Sequence, residues 1–239
     1  MSRRQPLAQH GFTTHDLRIY LNADDYDTVQ KFTLGHEFME MLFFALEEGG
    51  ADAWMHDDTF TGLMGQKEKL CDAGSAELVM PLALFTVLVR EQPITLQRVS
   101  DIATHCQMSF TATIWRIIKN GLAPKVFIVW QFKHSPKEFV PSQVGQGVLF
   151  GTPNEWDPAK KMRVERAFVP PTYTGYIPTD KSVPPTSVIS QAFTDGIATS
   201  GMEDIDLAGL RGRYFVEARP VSIDGERHIM SLIHLEGRP

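Results

Sequence analysis

Proline placement constrains this 239-residue chain more than any other feature. Nine of its 15 prolines, from Pro136 to Pro185, fall between residues 134 and 186. Each fixes φ and removes a backbone donor, so this stretch excludes long helices and favours loops with short strands. Further on, RYFVEARPVSIDGERHIMSLIHL reads as two strands joined at Asp224-Gly225, a strong hairpin signal. The first half differs, with apolar residues recurring at helical steps. A boundary near residue 135 follows.

Residues 28–48 predict a helix, in which Val29, Phe32, Met39, Phe43 and Leu46 repeat every three or four positions and Gly49-Gly50 supplies a stop. A second helix is expected over 66–79, ending before Pro81 because the residue ahead of a proline is pushed out of helical geometry. Residues 95–120 read as two short helices. Leu96, Val99, Ile102 and Ala103 line the first, while the second is capped by Ser109 with Ala112, Trp115, Ile118 and Leu122 as its stripe. LRIYLN at 17–22 alternates like a strand.

His36 lies in the apolar stripe of the first helix, with Glu40 four residues on. Side chains at that spacing share a face. Glu37 is one position further round from His36. On the second helix Glu68 and Asp72 repeat the four-residue step, and packing the two faces together would gather one imidazole and three carboxylates. Such groups are costly to bury unless paired or metal-bound. The run H-E-F-M-E differs from the H-E-x-x-H zinc helix in having glutamate at the second histidine's position. Two readings stay open from the residues alone: a core histidine paired with a carboxylate, or a metal site.

QKFTLGHEFMEMLFF at 30–44 and EKLCDAGSAELVMPLALF at 68–85 together resemble the ImmA/IrrE family of metallo-endopeptidases. The matched residues are Phe32, Thr33, Leu34, His36 and Glu37, then Glu68, Cys71, Asp72, Ala76, Glu77, Leu78, Met80 and Pro81. The strand 17–22 and the helix pair 95–122 follow the family's order, so the resemblance covers residues 17–130. It implies that His36, Glu40 and Glu68 are metal ligands, that Glu37 is the general base, and that Asp72 is an outer carboxylate orienting a ligand histidine. Gly35 stands where alanine is more usual. The implied cofactor is a divalent metal, zinc in the family. Glu40 adds a negative charge that should move preference toward Mn²⁺ or Fe²⁺ and weaken the acidification of bound water. His56, in WMHDD, is an alternative imidazole that reads as a surface residue.

The expected fold is therefore α+β. A mainly helical, zincin-like peptidase domain with a small sheet would span 1–90, and a helix-turn-helix-like module 91–134. A mixed, sheet-containing domain, GAF-like by position and size in longer family members, would span 135–239 as a sensor or substrate-docking part. The implied activity is cleavage of a protein substrate, a helix-turn-helix transcriptional repressor, switching on a stress or mobile-element response. The alternative is a catalytically weakened member acting as a protein-binding regulator. A DNA-binding transcription factor using 95–122 is disfavoured: Arg98, Arg116, Lys119 and Lys125 are nearby, but His105, Gln107, Ser109 and Thr111 at the turn make no dense basic surface, and the net charge is −6. Direct nucleic-acid binding is not expected. Neither a signal peptide nor a membrane span is expected, and the two cysteines suit a reducing, cytoplasmic setting. Cys71 reads as a buried, inert thiol, and Cys106 as no nucleophile.

Overall fold

A computed structural model describes residues 10–14, 16–48, 60–136, 160–223 and 225–236. The chain divides into two compact units, one of residues 1–91 with 101–110, the other of 92–100 with 111–239. The fold class is α+β, with six helices and two sheets among the described residues.

The first unit opens with a short antiparallel hairpin of β1 (Gly11–Thr13) and β2 (Ile19–Leu21), on which Phe12 and Tyr20 stack with ring centroids 5.0 Å apart. The alternation at 17–22 marks β2; the three-residue β1 has no periodicity to read. Helix α1 (Asp27–Glu48) matches the expected span, whereas α2 (Phe60–Val79) starts six residues before the expected 66. The two helices pack antiparallel and closely at two glycines. A Cβ at Gly35 would lie 2.6 Å from Ser75 Oγ, and one at Gly74 would lie 2.5 Å from Met39 Cε. Buried Ser75 spans this seam, its hydroxyl donating to the Phe32 carbonyl at 2.7 Å.

After Pro81 the chain does not stop being helical. Helix α3 (Leu82–Arg90) restarts there, its first free N–H donated by Leu82 to Glu77 Oε2 at 3.0 Å. In sequence, 81–89 shows only an apolar run, although proline suits the start of a helix as well as an end. Among the described residues no single helix is long and apolar enough to cross a membrane.

Helices α4 (Leu96–Cys106) and α5 (Phe110–Lys119) are the expected pair. Leu96, Val99, Ile102 and Ala103 are all buried as anticipated. The stripe on α5 is rotated from the expected one: Thr113, Ile114, Ile117 and Ile118 are buried, while Trp115 is exposed with the Lys119 ammonium 4.2 Å from its ring centroid. Three isoleucines outweigh one tryptophan, whose indole is satisfied outside by a cation.

The second unit is built on a five-stranded antiparallel sheet of β3 (Lys125–Lys133), β4 (Lys161–Phe168), β5 (Thr199–Asp206), β6 (Arg211–Ile223) and β7 (Glu226–His234). Its order is β4-β3-β7-β6-β5. Before β5, helix α6 (Val188–Asp195) is capped by Ser187, whose hydroxyl accepts from Ser190 N, and closed by Gly196 at φ +71°. Ile189 and Ala192 join Val126, Ile128, Trp130 and Val216 in one core. β3 lies inside this sheet, paired with β4 on one side and β7 on the other. Lys125–Trp130 are all buried, which removes the alternation that would have identified a strand. β6 and β7 form the expected hairpin, in register to Ile223 opposite Glu226, with Gly225 at φ +80°. Asp224 lies outside the described residues.

Candidate functional site

The α1–α2 seam carries the chemistry-bearing residues. His36 and Glu40 project from α1 one turn apart, and Lys67, Glu68, Cys71 and Asp72 from α2. His36 sits between two carboxylates: its Nδ1 is 2.9 Å from Asp72 Oδ1, and its Nε2 is 3.4 Å from Glu68 Oε2. A carboxylate only accepts, so Nδ1 carries the proton of the shorter contact. The histidine side chain is 19% exposed, while those of Glu68 and Asp72 are more than half exposed. The acids thus reach the imidazole from the solvent side.

Glu40 lies deeper and is held by a lysine. Lys67 Nζ is 3.2 Å from Glu40 Oε1, and the same ammonium stands 6.0 Å from the centre of the Phe43 ring. Next to this pair is Cys71, fully buried, its thiol pushed up to about 11 by burial and then by the negative charge of Glu40. One donor atom each from His36, Glu40 and Cys71 lie within 4.8 Å of one another. An imidazole nitrogen, a carboxylate oxygen and a sulfur at that separation suit a divalent cation.

Glu37 is engaged elsewhere. Buried on α1, it accepts at Oε2 a hydrogen bond of 2.8 Å from the Thr13 hydroxyl of β1, which also lies 3.2 Å from the Glu37 carbonyl. The first hairpin therefore fixes this carboxylate's orientation. His56 lies outside the described residues.

A family model described as the IrrE N-terminal-like domain, of the M78 peptidases, matches residues 4–117. The match covers 114 of the 239 residues, and over that stretch the chain is similar to this family. A solved structure, a Mycobacterium tuberculosis transcriptional regulator, is similar at 10% identity with a TM-score of 0.50. The similarity covers 96% of this chain and 63% of that one, so this chain spans less than two thirds of its length. It is a likeness of fold alone. No curated protein matches.

Of the five residues singled out from the sequence, His36, Glu68 and Asp72 come together, Glu40 sits beside them in an ion pair, and Glu37 faces the hairpin. Three further participants are not assigned a role by the sequence. Lys67 immediately precedes Glu68 and Cys71 follows it by three positions; both share its seam, and that spacing is a usable signal. Thr13 has no signal, because its contact spans 24 positions.

Proposed function

We propose that this protein is a metal-dependent endopeptidase of the IrrE type acting on another protein, a helix-turn-helix repressor being the substrate the family resemblance suggests. The match to the IrrE N-terminal-like family model supports a metallopeptidase-type regulator. The single observation that carries the reading is the His36–Asp72 hydrogen bond. A ring held at Nδ1 by a carboxylate is the outer-sphere arrangement that aims Nε2 at a cation.

His36, Glu40 and Glu68 would hold the cation and Glu37 would serve as general base. A divalent ion bound there supplies Lewis acidity toward the scissile carbonyl and the attacking water. Glu37 would take the proton of that water and pass it to the leaving amine, for which its carboxylate has to leave the Thr13 hydroxyl that holds it toward the hairpin. Asp72 positions His36 and does not touch substrate. The zincin-like character of the first unit, a GAF-like sensing or docking role for the five-stranded sheet, and a cytoplasmic setting belong to the same proposal. An antiparallel sheet with α6 between β4 and β5 supports the sensor reading.

Metal analysis of full-length protein purified without chelator tests the proposal. Stoichiometric divalent metal that disappears in His36→Ala is expected, as is a Glu37→Gln variant that keeps its metal and cuts its protein substrate at least about 100-fold more slowly. Retained cleavage in Glu37→Gln overturns the base assignment.

A second reading has its own observation. The Lys67 ammonium already neutralises Glu40, an arrangement suited to a metal-free, protein-binding regulator. Folded protein that carries no metal and takes up none would establish that reading over the first.

A further inference from the structure

We propose that Cys71 is itself a metal ligand, so that the cation site is built on His36, Glu40 and Cys71. This rests on the metal-dependent reading above and changes its donor set. The donors of these three residues lie within 4.8 Å of one another, two from α1 and one from α2. The close helix approach at Gly35 and Gly74 fixes the sulfur's position across the seam. Cys71 is fully buried, and the Glu40 that shares this group is paired with Lys67.

Sulfur changes which ion is preferred. Imidazole and carboxylate alone suit Mn²⁺ or Fe²⁺; a thiolate turns the preference to Zn²⁺ and Co²⁺. On coordination the S–H proton passes to solvent and the sulfur binds as thiolate. Three protein donors leave the fourth tetrahedral position open, as catalytic zinc sites require. Glu68, whose side chain is 54% exposed beside His36, is then on the side from which solvent enters.

Cobalt tests this directly. Full-length Cys106→Ser protein, in which Cys71 is the sole thiol, is titrated with Co²⁺ while the near-ultraviolet thiolate-to-cobalt charge-transfer band is followed. The band should rise to a stoichiometric end point. Adding Cys71→Ser, or Cys71→Ala, should abolish it and weaken Co²⁺ binding by more than the roughly 10–100-fold that loss of an outer-sphere partner costs. Stoichiometric Co²⁺ binding, measured by equilibrium dialysis, without the band in the Cys71-containing protein would overturn the assignment and leave a metal site made without sulfur. Absence of any Co²⁺ binding would overturn the metal-dependent reading along with it. The band in the Cys71-containing protein decides the matter even where a Cys71 variant does not fold.

Discussion

Asp72 Oδ1 accepts a hydrogen bond from His36 Nδ1 at 2.9 Å across the α1–α2 seam. The two residues are 36 positions apart, and one belongs to each helix, so the bond reports their register. Under the proposed function it aims the imidazole. Asp72→Ala should weaken Co²⁺ or Zn²⁺ binding by roughly 10–100-fold with little change in thermal midpoint, because Asp72 is on the surface. Asp72→Asn should lose less, since an amide oxygen still accepts from Nδ1–H. Isothermal titration giving equal affinity in Asp72→Ala and the unaltered protein would show that the carboxylate orients nothing.

Lys67 should oppose metal binding. Its ammonium lies 3.2 Å from Glu40 Oε1, with both side chains 20% exposed. A divalent ion must detach that carboxylate from the lysine and tolerate a positive charge nearby. Two unit charges about 4 Å apart interact by about 4 kcal/mol at an effective dielectric of about 20, which partial solvation reduces. Lys67→Met, which keeps the apolar stem against Phe43, should therefore bind Zn²⁺ at least about tenfold more tightly, or about 1.4 kcal/mol. Equal or weaker binding would mean that the lysine supports the site and does not compete for it. Metal uptake by this variant alone would favour the metal-free regulator for the unaltered protein.

Elements with a strong period are legible in the sequence: α1, the body of α2, α4, and the terminal hairpin with its two-residue turn. β3 is not, because burial of every residue from Lys125 to Trp130 replaces alternation with the apolar run of residues 126–130. The face of α5 is misleading in sequence because a tryptophan carries the weight of a core residue, although its ring stays outside beneath Lys119. At the candidate site, four-residue spacing places His36 with Asp72 and Glu68. It cannot show that Glu40 is ion-paired or that Glu37 turns to Thr13, since helical spacing fixes a face but not the partner brought to it by another element.

Glu203 gives the second unit a pH signature. Its carboxyl is shifted up from 4.5, first by burial, although Oε2 accepts from Val188 N at the start of α6 at 3.0 Å. Its other oxygen is buried with no hydrogen-bond partner among the described residues. Between 4.5 and the folded value the native state holds a proton that the unfolded chain has released, so stability falls as pH rises through that window. Below the window the penalty is absent; above it, complete. Glu203→Gln is neutral throughout and keeps an acceptor for Val188. The melting-temperature difference, variant minus unaltered protein, should thus be more positive near neutral pH than below 4.5. A difference that does not change with pH would show that Glu203 is as well solvated folded as unfolded.

Gly35 tests whether the seam is as tight as the site requires. In a helix interior, alanine is intrinsically better than glycine by about 1 kcal/mol, and alanine is the usual residue in the family pattern. Here a Cβ would sit 2.6 Å from Ser75 Oγ and 3.3 Å from Ser75 Cα. The hydroxyl can rotate away only by leaving the Phe32 carbonyl to which it donates at 2.7 Å, which leaves a buried hydroxyl without that acceptor, and the crowding against the Ser75 backbone persists even then. Overpacking costs about 1–3 kcal/mol, and a buried hydroxyl without its partner costs about as much again, so the propensity gain is outweighed. Gly35→Ala should be destabilised by about 1–3 kcal/mol in urea unfolding. Because Gly35 precedes His36, the shift that relieves the clash also moves the imidazole away from α2, and metal affinity should fall with stability. The double variant Gly35→Ala/Ser75→Gly removes the hydroxyl and its 2.6 Å contact, leaving only the milder 3.3 Å approach to the backbone. It should recover metal affinity, whereas unchanged weak binding in the double variant would mean that the spacing of α1 and α2 does not set the site.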